Sequence, residues 1–411
     1  MTSKNIRAIA IGSVSGLALG VAATASAVEW EVGNTTISFE GYAKLDLIYD
    51  MDDRLGRFTF HDQIGADSSD GHFRMQTGQS RFGVRTVTPT ARGDLVLFTN
   101  YDFFAGDPGG SESGGRLRMR EFYGHWNGIT AGRTWTTFNT FVGTPPTLDF
   151  TNAVGQAGLD LQTQLRYTVG GFSIALEAPD DLVSSLNSSA IARAGGLKSS
   201  TFGASNQSRY PDLTANYHGS INGIDYAVGA MARQLRVGRG AEEVGASESS
   251  DTEAGWGLFA AAATDIRPGT RIRGIVTGGD GIGNYLYFQP APAAYFDGDS
   301  IETIEAIGGS VSISQTIGPG EATLAYAYAY ADTEDFYRDM EISNDDLFLA
   351  GNRFQSVYLN YLWSPIDRVT YGIEIGWHRV DRPRKFENGE ISERSSDDDA
   401  VRIMTSLVYD F

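Results

Sequence analysis

A closed, sixteen-stranded antiparallel β-barrel that crosses a membrane is the fold class this sequence predicts, and three observations predict it. Apolar side chains recur at every second position in segment after segment, the period of a strand with one oily and one wet face. The connections between these segments alternate between tight turns and long polar inserts. The last segment, "VRIMTSLVYDF" (401–411), is itself such a strand and closes on an aromatic.

The first element is a leader. "MTSKNIRAIAIGSVSGLALGVAATASA" has basic Lys4 and Arg7, an apolar small-residue stretch and an Ala25-Ser26-Ala27 site, so residues 1–27 read as a secretory signal and 28–411 as the mature chain. A membrane anchor fits less well, because Gly12, Ser13, Ser15 and Gly16 interrupt the apolar run. No later window reaches the ~20 apolar residues of a spanning helix.

Strands follow near residues 36–50, 72–88, 92–104, 115–126, 128–135, 161–169, 171–178, 209–219, 223–236, 252–267, 269–278, 302–316, 319–332, 352–364, 367–380 and 399–411. "LQTQLRYTV" (161–169) shows the rhythm: Leu161, Thr163, Leu165, Tyr167 and Val169 alternate with Gln162, Gln164, Arg166 and Thr168. A half-wet strand also suits a soluble antiparallel sheet, so periodicity alone does not decide. The connections do. Even-numbered strands end in tight turns at 88–91, Asn127-Gly128, Gly170-Gly171, 220–223, 267–269, 318–320 and 364–367. Odd-numbered strands end in long inserts at 51–71, 105–114, 136–160, 179–208, 237–251, 279–301, 333–351 and 381–398. Short turns at one end, long loops at the other and an even strand count are the pattern of outer-membrane barrels. Hydrocarbon offers backbone N–H and C=O groups no partner, so a sheet survives there only when it closes and leaves no edge. Phe411 and Tyr409 then belong at the periplasmic rim, where the last strand pairs with the first.

Composition narrows the function. There is no cysteine, which argues against a small disulfide-stapled secreted domain. Without Lys4 and Arg7 the mature chain has 30 basic against 51 acidic residues, a net charge of −21, so nucleic acid is excluded as a partner. Much of the acid lies in connections: Asp50, Asp52 and Asp53; Asp180-Asp181; Glu242-Glu243; Asp345-Asp346; Asp397 to Asp399. These read as solvated loop faces, for none keeps the ligand spacing of a calcium loop. The histidines His61, His72, His125, His218 and His378 are the candidate bases, but no Ser, His and acid arrangement and no metal-ligand spacing stands out. No enzyme activity, metal or cofactor is expected.

The stretches "GYAKLDLIYD" (41–50), "QSRFGVRT" (79–86), "AGRTWTTF" (131–138), "PPTLDF" (145–150) and "LRYT" (165–168), in this order and spacing, resemble the trimeric porins of Gram-negative outer membranes, most closely the DcaP-type dicarboxylate porins. The resemblance implies a homotrimeric channel in contact with outer-membrane lipid and lipopolysaccharide, with Phe411 read by the barrel-insertion machinery. It implies passive diffusion of small hydrophilic solutes, favouring anions such as dicarboxylates. A non-selective diffusion porin is the alternative; an adhesin or receptor barrel, or an outer-membrane hydrolase, are further rivals.

The resemblance also implies that the third loop, 136–160, folds inward as a constriction. Its composition suits that role: Pro145-Pro146 stiffen it, Phe138, Phe141, Leu148 and Phe150 need cover, and Asp149 and Asp160 are its only ionisable groups. A basic ladder is implied on the facing wall at Lys44, Arg81, Arg133 and Arg166. Alternation independently puts Lys44, Arg81, Arg85 and Arg166 on the wet face, and adds Arg116, Arg118 and Arg120. Arg133 shares parity with apolar Ile129 and Ala131, and reaches the lumen only if the strand bulges near Gly132. DcaP-type chains usually carry Gln where Arg133 stands and an acid shortly after, where this chain has Asn139 and Thr140. The expected constriction set is Lys44, Arg81, Arg85, Arg118, Arg120, Arg133, Arg166 and Asp149.

Overall fold

The computed structural model describes residues 28–65, 71–105, 115–179, 208–238, 250–296, 300–339, 351–382, 386–387, 390–391 and 396–411; the expected leader and the acidic runs at 180–181, 242–243 and 345–346 lie outside them. Sixteen antiparallel strands form the barrel: β1 (Thr35–Asp50), β2 in two pieces (His72–Gln76 and Arg81–Thr88), β3 (Leu95–Ala105), β4 (Arg116–Trp126), β5 (Ile129–Trp135), β6 (Leu161–Val169), β7 (Phe172–Glu177) and β8 (Asp212–Ile221). They continue as β9 (Ile224–Gly238), β10 (Ser250–Arg267), β11 (Thr270–Asp280), β12 (Glu305–Ile317), β13 (Gly320–Ala331), β14 (Arg353–Ile366), β15 (Val369–Arg382) and β16 (Ser396–Asp410). Each pairs with the next, and β16 returns to β1 from Tyr42↔Asp410 to Asp50↔Arg402. The closing residue adds a last rung: Phe411 N–H donates to Gly41 O at 2.9 Å, and its ring packs on Phe39 at 5.3 Å.

The two-residue rhythm sorts side chains by face. On β12, Ile307, Val311 and Ile313 are exposed on the outside while Ser310, Ser312 and Ser314 are buried inside. At the short-turn end Tyr361 stacks on Trp363, Trp363 meets Tyr371 edge-on and Tyr371 meets Tyr409 edge-on, an aromatic girdle where hydrocarbon meets water. Asn127-Gly128 and Asn222-Gly223 take positive φ at both positions, the geometry two-residue hairpins require.

Two local features depart from the expected strands. Val28–Val32 forms an additional strand on the free edge of β1, from Val28↔Phe39 to Val32↔Thr35. Strand β2 is interrupted at 77–80, and Ser80 repairs the gap: its hydroxyl accepts from Lys44 N at 2.9 Å and donates to Lys44 O at 3.1 Å. One side chain thus satisfies both backbone groups that the ladder leaves open.

The interior is half filled by loops. As expected, the third loop (136–160) folds inward, but the described parts of the first (51–65) and the sixth (281–296 and 300–304) do so too. Phe138 and Ala157 of the third loop share one apolar cluster with Tyr285 and Leu286 of the sixth and with Met231, Phe259 and Ile275 of the wall. Leu55 and Ile64 of the first loop join Ala153, Val154, Phe288, Phe354 and Tyr358 in another. This corrects the reading of the first acidic run as solvated. Asp50 is buried against Arg402, and buried Asp53 accepts from Gly65 N at 2.9 Å; only Asp52 is exposed.

Candidate constriction site

The third loop is latched at both ends of its crossing. Where it leaves β5, the Glu177 carboxylate accepts Thr137 N at 2.6 Å and the Thr136 hydroxyl at 2.7 Å, while Asn216 donates to Thr137 O at 2.6 Å. At the far wall the Glu374 carboxylate accepts Leu148 N and Asp149 N at 2.9 and 3.0 Å, and Asn360 donates to Pro146 O at 2.9 Å. Gly155 must be glycine: its φ is +76°, and a Cβ there would stand 1.9 Å from Tyr328 O.

Two expected constriction residues serve this latch. Lys44 is buried; its Nζ donates to Gln79 Oε1, donates to Leu148 O at 3.0 Å and lies 3.2 Å from Asp46. Asp149 is 2% exposed; Oδ2 accepts from Thr59 and Oδ1 accepts Thr151 N at 2.8 Å. Its carboxylate therefore sits in the seam between the first and third loops. Arg402 closes that seam: Nε and Nη2 hold Asp50 at 2.6 and 2.9 Å, with further donation to Thr59 and Gly56 O. His61 docks the first loop on β14, its Nε2 facing Ser356 Oγ at 2.8 Å and Gln355 O at 3.1 Å. Burial pushes its pKa down to about 4, partly opposed by the Gln355 bond and Asp149.

Basic side chains that face the interior come from β2, β4 and β6. Arg120 reaches the interior through a bulge: Asn100 pairs with Glu121 and Tyr101 with Met119, so Arg120 is the extra residue, and both it and Glu121 are buried inside. Asp102 engages Arg118 at 2.7 and 2.9 Å and Arg120 at 3.2 Å. Arg81, Arg85 and Arg166 have no ion-pair partner among the described residues. The Nε atoms of Arg81, Arg120 and Arg166 and the indole N–H of Trp135 are buried without a hydrogen-bond partner. Such a concentration of orphaned donors needs an acceptor from outside the chain, water or solute.

Arg133 does not belong to this wall. Register through Gly132 is unbroken, and its cross-strand neighbours Phe122 and Thr163 are both exposed on the outer face, so Arg133 points outward with them. The sequence reading also missed Arg271 and Arg273 on β11. Both alternate with Ile272 as Arg118 and Arg120 do with Met119; Arg271 pairs with Asp225 at 2.6 Å and Arg273 donates to Ser314 at 2.7 Å.

A closed barrel with an oily outside, narrowed from within beside a row of guanidiniums, defines a porin-type channel of the Gram-negative outer membrane. The sequence model of the DcaP outer membrane protein family matches residues 19–256, more than half of the chain, and the chain belongs to that family. The fold is similar to that of the outer membrane channel DcaP of Acinetobacter baumannii, at 20% identity and TM-score 0.73, covering 93% of this chain and 99% of that one. It is similar too to an anion-selective porin from Comamonas acidovorans (11% identity, TM-score 0.54, 92% and 100% covered) and to OmpT of Vibrio cholerae (12%, 0.53, 93% and 100%). No curated protein matches in sequence.

Proposed function

We propose that this channel passes small hydrophilic solutes by passive diffusion and favours anions, with dicarboxylates the best-fitting class. One observation carries the reading: Arg81, Arg85 and Arg166 face the interior and none is engaged in an ion pair among the described residues, although Glu40 lies near Arg85 and Glu121 and Glu177 near Arg166, while Asp102 is taken up by Arg118 and Arg120. Guanidinium stays charged at any relevant pH and fits a carboxylate two bonds at a time. A unit pair at ~4 Å gains ~1 kcal/mol in water and ~4 at an effective dielectric near 20, whereas loop acids beyond ~8–10 Å are screened by ordinary salt. The structural neighbour from Comamonas acidovorans is described as anion-selective, which supports the same reading.

The chain acts as a channel rather than a hydrolase. Ser356 sits between His61 and His378, but all three are buried where the first loop docks on β14 and β15. We further propose a homotrimer. A trimer form of Vibrio cholerae OmpT is among the similar folds. In this chain β5 and β7 have seven and six residues, short of the ~9–11 that cross hydrocarbon, and Arg133 faces outward beside them. Protein from a second copy is a better cover for that stretch than lipid. Contact with lipopolysaccharide, and recognition of Phe411 by the insertion machinery, complete the proposed partners.

The test is the reversal potential of the protein in a salt-gradient bilayer, beside Arg81→Ala and Arg166→Ala. Wild type is expected to prefer anions, and each variant to lose at least about threefold of that preference, since even ~1 kcal/mol is a factor of about five. Unchanged preference in both variants refutes the ladder, a wild type without preference favours the general porin, and no conductance favours the adhesin.

A further inference from the structure

The third loop brings one aromatic ring to the basic wall. Phe138 is buried in the apolar cluster and Phe141 packs edge-on against Trp135 at 5.4 Å, but Phe150 is half-buried and faces β4. Its ring lies 5.5 Å from the Arg120 Cζ and 5.8 Å from the Arg118 Cζ. The contacts run on in both directions. Arg120 also lies over Trp135 at 5.4 Å, Arg118 over Phe104 at 5.7 Å, and Arg57 over Phe104 at 5.0 Å. Taken in order, Arg57, Phe104, Arg118, Phe150, Arg120 and Trp135 alternate cation and ring across the first loop, β3, β4, the third loop and β5.

A guanidinium that lies on a ring uses its face and keeps its N–H edge available for acceptors. That distinction matters here because Arg118 and Arg120 share one counter-charge. Asp102 binds Arg118 through two nitrogens but Arg120 through one only, at 3.2 Å, and the Arg120 Nε has no partner. A ring held against both cations limits how far Arg120 can turn onto Asp102.

We propose that Phe150 is a positioning residue of the channel: its ring face holds Arg118 and Arg120 apart and edge-on, so that the N–H groups Asp102 does not use stay turned to the interior, and the same contact fixes the third loop to the wall it narrows. The proposal rests on the anion-channel reading for its effect on selectivity, but its effect on the loop stands separately.

The experiment compares wild type with Phe150→Tyr, Phe150→Leu and Phe150→Ala in planar bilayers, after heat-modifiable gel mobility has shown each barrel folded. Two quantities are read: the reversal potential in a salt gradient and the open-channel current noise at constant voltage. Leu keeps the bulk and loses the π face; Tyr keeps both. The anion-over-cation permeability ratio is expected to fall at least about twofold in Phe150→Leu and further in Phe150→Ala, the factor that a weak cation–π contact is worth. Current noise should rise in the same order, and Phe150→Tyr should match wild type in both. Phe150→Leu behaving as wild type in both quantities overturns the proposal, because plain packing would then suffice. An unselective wild type would refute the anion reading instead, and the noise of Phe150→Leu would still decide the role of the ring.

Discussion

On β13 the positions facing the barrel interior are Ala325, Ala327, Ala329 and Ala331, all but unexposed, while Tyr326, Tyr328 and Tyr330 face outward. On β4 the interior positions are Arg118, Arg120, Glu121, Tyr123 and His125, and Leu117, Met119 and Phe122 face outward. Both strands keep the same two-residue period, yet their inner faces meet different surroundings. β13 is packed against Ala153 and Val154 of the third loop and Phe288 of the sixth, so only small side chains fit. β4 meets a half-open interior in which long cations can extend. The inner face of this barrel is therefore core on one side and conduit on the other. Substitutions on the packed side should change stability and leave selectivity alone; those on the basic side should do the reverse.

The largest expected effect probes the packed side through pH. His61 lies against Gln355 and Ser356 of β14, His378 of β15 and Asp149 of the third loop, with Arg402 close to His378. With its pKa at about 4 it stays neutral when folded, whereas an unfolded chain takes up the proton near 6.5. Above 6.5 both states are neutral and nothing is lost. From 6.5 down to about 4 only the unfolded state gains a proton, so stability falls, and below 4 the loss levels off at about 3 kcal/mol. The difference in heat-unfolding midpoint between wild type and His61→Gln should thus shift across that window and be flat above it. A difference independent of pH would mean that the first loop is not held by this buried imidazole.

Next in size is Ala327→Leu. It adds three carbons where the wall meets the third loop, and overpacking of that kind costs about 1–3 kcal/mol. A lower unfolding midpoint with wild-type reversal potential is expected; a change in selectivity without loss of stability would break the division between the two walls.

How far the sequence carried the argument follows the same division. All sixteen strands, and the turns at Asn127-Gly128 and Asn222-Gly223, were legible, because period and turn chemistry are local. The inward direction of Arg81, Arg85, Arg118, Arg120 and Arg166 was legible for that reason too. What Lys44 and Asp149 do was not. Lys44 bonds a carbonyl 104 positions away, and Asp149 is closed in by Thr59, 90 positions away. Parity says which face a side chain takes but not which loop will cover it. The inward fold of the sixth loop had a readable sign: residues 281–296 carry no charge and include Tyr285, Leu286, Phe288 and Tyr295, much as the third loop does. The Val28–Val32 strand was likewise announced by Gly33-Asn34, a hairpin dipeptide.

The smallest expected effect on selectivity belongs to Arg133, the one member of the expected basic set that faces outward. If lipid covered it, its charge near the middle of the apolar band would cost ~2–4 kcal/mol, and its removal should stabilise the barrel. If a second copy of the chain covers it, the guanidinium has a partner there, and Arg133→Met should lower the temperature at which the assembly dissociates while the separated barrel unfolds as before. Under either cover the reversal potential should equal that of wild type, because the side chain does not reach the conduit. A loss of anion preference in Arg133→Met comparable to that of Arg81→Ala would place Arg133 inside after all, and would require β5 to turn over near Gly132, whose φ of 129° is the only sign of irregularity in a ladder that otherwise pairs without a break from Ile129 to Trp135.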